Sequence, residues 1–350
     1  MPLYIKPLLP AGSATTADDE AGRMTQMITG YWVTQVVRTA AELDLAGHLA
    51  DGPATADEIA RAGSLHPTAT LRFLRACAAL DLVTSEDGTV FAATPLLSTL
   101  RADRPGSLRD LALWGGMESH WGPWGRLADA VRTGQGQVGP TLGADLFGYL
   151  AAHPEEGHRF TAAMGAMTDG VAERLADVLP LSGSETVVDV GGAAGVFVQT
   201  LMVRHPALRG VVLEMPHLAE AARSAADRAG VTDRFAFVAG DFFESVPSGD
   251  VHVLKYVLHD WDDESAVRIL RSCRAALNPG GRVVLAELVV DPGASAGLPP
   301  LMDLNMLTLT DGGRERTEDD FEELFRLAGL RMTRVTHSAS LVSLIEGVAE

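Results

Sequence analysis

The chain has 350 residues, a formal net charge of −18, and 47 % hydrophobic against 21 % charged side chains, which suits two domains with a substantial core. The acidic balance argues against a phosphate-tracking nucleic-acid surface. No apolar run approaches the roughly 18 residues of a membrane span, and no charged-apolar-small leader opens the chain. Its two cysteines, Cys77 and Cys273, lie in apolar helical contexts, so buried free thiols, no disulfide framework and a reducing cytoplasm are expected.

Residues 1–20, rich in Pro, Ala, Gly, Thr and acids, read as a loose arm. Residues 24–49 read as helix interrupted at Gly30, with apolar residues on more than one side. Such a helix wants to be buried, either against a second subunit or as an internal core helix. In 55–97, TADEIARAG starts a helix that stops at Gly63, HPTATLRFLRACAALDLV gives a second, and TSEDGTVFAATP reads as a hairpin with a DG turn. That order is a winged-helix pattern. Standing alone it would suggest a DNA-binding regulator, but Arg61, Arg72 and Arg75 are too few for phosphate tracking, and the alternative is a scaffold for dimerisation and lid formation. Residues 107–170 are helical and rich in large soft side chains, including Trp114, His120, Phe160 and Met164. This is either a core stripe or a pocket for a flat apolar substrate, with Trp114, His120 and Phe160 as pocket candidates. VRTGQGQVGPTLG reads as a glycine-rich loop between two helices. The domain boundary is placed near residue 175, separating a helical domain (21–175) from a sheet domain (176–350).

The second half alternates strands near 186–190, 210–214, 235–238, 251–257 and 282–288 with helices near 194–204, 216–229, 262–277 and 317–328, then closes on two strand-like runs. A mostly parallel doubly wound α/β sheet is the expectation. Its organising stretch is TVVDVGGAAGV (186–196), a strand leading into a glycine turn and a helix. The dinucleotide spacing G-x-G-x-x-G fits poorly, whereas G-x-G-x-G is met at Gly191 and Gly195 with Ala193 between them. Glu214, at the end of the second strand, suits the two hydroxyls of a ribose. A nucleoside without a pyrophosphate is the better reading, and a plain strand-to-helix turn the bland one.

With GDFF (240–243), LKYVLHDWDD (254–263) and GGRERT (312–317) added to this turn, nearly the whole chain resembles the class I S-adenosylmethionine (SAM) methyltransferases, specifically the plant caffeate-type and bacterial polyketide-tailoring O-methyltransferases. The resemblance implies a Rossmann-like SAM-binding sheet behind a helical, winged-helix-like dimerisation domain, and a homodimer. It carries cofactor contacts over to Asp189, Gly191, Gly195, Glu214, Asp241, Phe242 and Lys255, with Met164 near the methyl group. It makes His259 a base flanked by Glu287 and Glu315. Trp261 either stacks on adenine or closes the core beneath the catalytic loop. Met302, Asn305 and Met306, preceding GGRERT, are expected to line the acceptor pocket.

The residues support the same chemistry independently. A phenol with a pKa of about 10 is a poor nucleophile until deprotonated, and an imidazole near 6.5 is a suitable base, at a transfer cost on the order of 5 kcal/mol. His259 follows an apolar strand and precedes a helix expected to start around Asp262. The helix N-terminus should keep the ring neutral, and Glu287, at the end of the next strand, is the natural group to orient it. Asp260, Asp262, Asp263 and Glu264 read as helix-capping acids rather than ligands, Thr317 and Asp320 as a capping box, and no metal is expected. Two alternatives stay open: methylation of carbon ortho to a phenol, which would need the same deprotonation, and use of bound SAM without transfer of its methyl.

Overall fold

The computed structural model describes residues 17–104, 106–291, 293, 298–338 and 341–350. Two compact units emerge, one of Gly122–Ala152 with Thr168–Glu350, the other of the described residues up to Trp121 with His153–Met167. Residue 175, chosen from sequence as the boundary, lies inside a long helix. Among the described residues, no helix is long and apolar enough to cross a membrane.

The smaller unit begins with α1 (Ala17–Ile28) and α2 (Gly30–Glu42), broken at Thr29 next to the expected Gly30. Residues 17–20, read as arm, are therefore the first turn of a helix; the rest of that arm lies outside the described residues. After α3 (Leu45–His48), a two-residue strand β1 (Ala54–Thr55) leads into α4 (Ala56–Ala62). Thr55 caps α4 through a reciprocal pair: its hydroxyl accepts from the Glu58 amide at 3.2 Å, and Glu58 accepts from the Thr55 amide at 2.8 Å. Then follow α5 (Pro67–Ala79), β2 (Val83–Thr84) and β3 (Val90–Ala93). The expected hairpin is β2–β3, and β1 adds a third strand on the far side of β3. Leu45, Leu74, Cys77, Phe91 and Leu97 form its core. The first helices are not buried all round: Met24, Met27, Ile28, Tyr31 and Trp32 are each more than half exposed, and the 24, 27, 28 spacing puts the first three on one face of α1. α6 (Arg109–Trp114) and α7 (Glu118–Trp124) complete the helices up to residue 121.

The larger unit takes in α8 (Leu127–Thr133), α9 (Val138–Leu142), α10 (Leu146–Ala152) and the C-terminal part of α11 (Pro154–Val178). The stretch read as a glycine-rich loop therefore contains a short helix. It is also tied down, because the Gln137 amide donates to the Thr308 carbonyl at 2.8 Å. Next come β4 (Thr186–Val190), α12 (Val196–Arg204), β5 (Arg209–Glu214), α13 (Ala219–Arg228), β6 (Phe235–Ala239), β7 (Gly249–Lys255), α14 (Asp263–Ala276) and β8 (Leu277–Leu288). The chain continues through α15 (Pro299–Leu309), α16 (Glu318–Ala328), β9 (Leu330–His337) and β10 (Val342–Ala349). The sheet runs β6-β5-β4-β7-β8-β10-β9, parallel through β8, with β10 antiparallel to both its neighbours. Side chains alternate across it. Val187, Val251, Val253, Val284 and Ala286 pack on one face with Leu175 of α11 and Phe197 and Leu201 of α12. Val188, Val190, Val283 and Leu285 pack on the other with Ile269 and Leu270 of α14 and Phe321 and Phe325 of α16.

Candidate active site

Three segments meet at the carboxyl ends of β7 and β8. The parity that sends Val283 and Leu285 to the α14–α16 face sends Glu287 the same way. The turn before α14 carries His259, and the segment before α16 carries Glu315. That segment is held against the end of β8 by a parallel bridge from Val289 to Arg316, with the Val290 amide donating to the Arg316 carbonyl at 2.9 Å. Gly313 fits here because a Cβ would overlap the His259 carbonyl. This is a physical reason for a glycine just ahead of RERT.

His259 is not at the helix cap itself. It sits in a single 3-10 turn, Leu258–Asp260, and Asp262 is the N-cap of α14, accepting from the Ser265 amide at 2.7 Å. The ring's Nδ1 is 2.9 Å from Glu315 Oε1 and 3.9 Å from Glu287 Oε2, while Nε2 is 3.6 Å from Asp260 Oδ1. Glu315, not Glu287, is thus the hydrogen-bond partner of the ring. Asp260, read as a capping acid, instead faces the imidazole. Tyr256 stacks on the ring, centroids 5.4 Å apart and planes 21° from parallel.

The electrostatics correct the expectation of a neutral ring. Burial disfavours the imidazolium, but Asp260, Glu287 and Glu315 outweigh it and push the ring up to about 10. A charged ring is what three close carboxylates select. Burial in turn pushes Glu287 up to about 7 against the pull of His259, and raises Asp260.

The loop bearing His259 is gripped from both sides. Glu287, fully buried, accepts from the Val257 and Leu258 amides at 3.1 and 2.9 Å. Arg316, equally buried, donates to the Leu258 carbonyl at 2.7 Å, to the Trp261 carbonyl at 2.8 Å and to Asp263 at 2.8 Å. Just upstream, Tyr256 has φ +54°, a costly conformation for a bulky residue and one held in place by these contacts. Sequence reading missed Arg316 and Tyr256. The signal for Arg316 was its place beside Glu315 inside GGRERT.

The glycine turn lies beyond β4. Gly191 and Gly195 have φ +71° and +75°, and Ala193 shares the left-handed region at +50°. A Cβ at Gly195 would stand 2.7 Å from Val212, so the turn admits only glycine there. Asp189 is buried with neither carboxylate oxygen hydrogen-bonded. Burial pushes it up to about 6, countered by Lys255; burial lowers Lys255, countered by Asp189 and Glu287. Glu214 ends β5, accepts from the Met215 amide, and is raised by burial. Asp241 is exposed and accepts from the Phe243 amide at 2.8 Å. A Cβ at Gly191 would lie 3.7 Å from the Phe242 ring, so Phe242 lies against the turn. Trp261 meets the Phe242 and Phe243 rings edge-on and stacks with Phe147 at 6.5 Å.

On α15, Met306 is buried, Met302 packs against the core, and Asn305 Oδ1 accepts from the Trp124 indole at 2.8 Å. Asp303 on the same helix accepts from the Glu315 amide at 2.9 Å. Trp114, His120 and Phe160 come together in the smaller unit, with Trp114 centroids 4.4 Å from His120 and 5.3 Å from Phe160. Met164 lies on α11 in that unit.

Two domain families match the chain: an O-methyltransferase domain over residues 124–331 and an O-methyltransferase dimerisation domain over 25–103. A phenazine O-methyltransferase of Lysobacter antibioticus is 38 % identical over 324 residues, covering 92 % of this chain and 94 % of its own. The 3-amino-4-hydroxybenzoate 4-O-methyltransferase of Streptomyces cremeus is 38 % identical over 327 residues, covering 91 % and 88 %. Among solved structures, an O-methyltransferase from neocarzinostatin biosynthesis, in complex with SAM and 2-hydroxy-5-methyl naphthoic acid, superposes with a TM-score of 0.76. It is 33 % identical and covers 91 % of this chain and 96 % of that one. The doubly wound sheet, the glycine turn and these matches converge on one statement: the chain belongs to the O-methyltransferase family that joins a dimerisation domain to a methyltransferase domain.

Proposed function

We propose that this enzyme methylates a phenolic hydroxyl of a small aromatic or polycyclic secondary metabolite, with His259 as general base and without a metal. The observation that carries the reading is the His259–Glu315 contact at 2.9 Å. It engages Nδ1 and leaves Nε2 as the ring nitrogen that can take a proton from an acceptor.

The cofactor is S-adenosylmethionine, and the residues present fit it. A cationic ligand with an amine and a ribose diol suits an acidic set, Asp189, Glu214 and Asp241, around a bare glycine turn. Glu214 would hold the ribose hydroxyls, Asp241 and Phe242 the adenine, and the unpartnered Asp189 would act with Lys255 near the turn; Trp261 borders the same ring cluster. When bound, SAM supplies a sulfonium-borne methyl on a neutral leaving group.

The chain's own part is to deprotonate and orient the acceptor. The carboxylates that raise the His259 ring make its neutral form a stronger base toward a phenol of pKa about 10. The same carboxylates favour a proton already on the ring, so that proton must leave before the base can act. A cation next to the ring offsets part of this by disfavouring the imidazolium. Glu315 holds the ring, and Glu287 and Asp260 stabilise its charge once the proton is taken. His259, Glu287 and Glu315 offer ligand atoms within 4.8 Å of one another. Nδ1 is engaged by Glu315, however, and one Glu287 oxygen is engaged by two amides, which supports acid–base work instead. The acceptor is proposed to meet Met302, Asn305 and Met306 on α15.

The exposed α1–α2 face, within a matched dimerisation domain, supports a homodimer. Burial pushes the Cys77 and Cys273 thiols up to about 12, and such unreactive free thiols support a cytoplasmic setting.

The test is methyl-labelled SAM incubated with phenolic aromatics and hydroxyquinones, with His259→Ala alongside and the product's methyl located by NMR. A methoxy product falling at least about a hundredfold in the variant is expected. A carbon-bound methyl, or undiminished transfer by the variant, would overturn the reading.

A further inference from the structure

Around His259, a side chain with no chemical part in the proposed transfer is also, by volume, the largest fully buried one among the described residues. Arg316 is 1 % exposed. Its guanidinium is spent on the loop that bears the base: Nη1 on the Leu258 carbonyl, Nη2 on the Trp261 carbonyl, and Nε and Nη2 on Asp263 at 3.1 and 2.8 Å. The two carbonyls bracket His259 and Asp260. The loop's internal backbone bonds, from the Asp260 amide to Val257 and from the Trp261 amide to Leu258, are both 3.2 Å. A turn this short, entered through a strained Tyr256, does not hold its own shape.

We propose that Arg316 is a positioning residue for the base. It fixes both ends of the 258–261 turn so that the His259 ring meets Glu315, while Glu287 fixes the turn's amides from the opposite side. Adjacent residues in an extended segment point to opposite faces. Glu315 and Arg316 use this to act on one loop in two ways, the first on the ring and the second on the backbone that carries it. The planar fork is essential, because a lysine ammonium is a single point and cannot span two carbonyls and a carboxylate at these distances. The Trp261 carbonyl being one of the two also ties the base to the aromatic cluster of Phe242, Phe243 and Phe147.

This inference rests on His259 being the base, so the experiment reads the ring directly as well as turnover. Arg316→Lys and Asp263→Asn are compared with wild type in three measurements: thermal unfolding, kcat and KM for both substrates, and the pH titration of the His259 ring by ¹⁵N NMR without substrate. The groups facing that ring are Asp260, Glu287, Glu315 and Tyr256, and none is altered in either variant. Arg316→Lys is expected to lower kcat at least tenfold with KM for SAM within about twofold. It should also move the His259 titration toward the ordinary histidine range. Asp263→Asn keeps both carbonyl contacts of Arg316 and weakens its carboxylate anchor, along with the exposed Arg314 contact at 3.1 Å, so a smaller kcat loss in the same direction is expected; it carries the test if the lysine variant does not fold. A kcat loss matching only the unfolded fraction, with the His259 titration unmoved, would overturn the proposal. Should wild type transfer no methyl to any phenol, the reaction reading fails. The titration would still decide whether Arg316 sets the ring.

Discussion

The Glu315 carboxylate meets the His259 ring at Nδ1, 2.9 Å away, across 56 residues of chain. This contact holds the imidazole's orientation and favours its charged form. Glu315→Gln keeps the shape and removes the charge. A fall in kcat of at least about tenfold is expected, because the group that orients the base loses its charge. The acid limb of the kcat/KM profile should move to lower pH, as the ring loses a stabilising anion. An unmoved limb in steady-state assays would count against Glu315 as the ring's partner.

Stability should follow the same ring. His259 is raised from 6.5 to about 10 in the fold, so its contribution is fully present below pH 6.5 and is lost as pH rises toward 10. Glu287, raised to about 7, binds its proton more tightly folded than unfolded, so its contribution also declines, between about 4.5 and 7. Chemical denaturation from pH 6 to 10 should therefore show falling stability, with a shallower fall in His259→Gln.

Glu287 separates two roles by two substitutions. Glu287→Gln retains an oxygen for the Val257 and Leu258 amides and loses the charge, so the protein should fold and lose turnover. Glu287→Ala strands both buried amides and should cost a further ~2–4 kcal/mol in denaturant unfolding. Equal stability of the two variants would mean the amide contacts do not matter.

What could be read from sequence, and what could not, divides along this line. Parallel strands buried on both faces are near-continuous apolar runs, so β4 to β8 were legible to within a few residues. The His259–Glu287–Glu315 set was legible through motifs. The ring's charge was not: it depends on Asp260 facing inward rather than capping, and on how two distant acids converge. β1 was too short to carry a pattern. The 131–143 stretch looked loose because its tie to Thr308 runs through backbone, which leaves no mark on side-chain identity.

Ala193 holds φ +50° where a glycine would do so freely. Ala193→Gly should relieve about 1–2 kcal/mol of left-handed strain against ~0.5–1 kcal/mol of added unfolded-state entropy. A net gain of about 0.5–1 kcal/mol and one or two degrees in Tm is expected from calorimetry, with turnover retained.

Chelation supplies a further test. Extended dialysis against EDTA should leave methyl transfer unchanged, and loss of activity restored by one divalent metal would contradict the metal-free reading.

The proposed dimer face is exposed at Met27 and Trp32. Replacing both with Asp should leave the circular dichroism spectrum intact and shift light-scattering mass from dimer toward monomer. A monomeric wild type would remove the homodimer from the reading.

The order of strands in the sheet has a bearing on how the molecule is made. β10 lies between β8 and β9, yet both leave the ribosome before it. Until β10 threads in, β8 presents a bare hydrogen-bonding edge and β9 has no neighbour, and an edge of that kind can pair with other chains. The frame that carries Glu287 is thus closed only once β10 has emerged. Variants that slow β10's insertion should lower the yield of soluble protein well before they change the folded enzyme's rate.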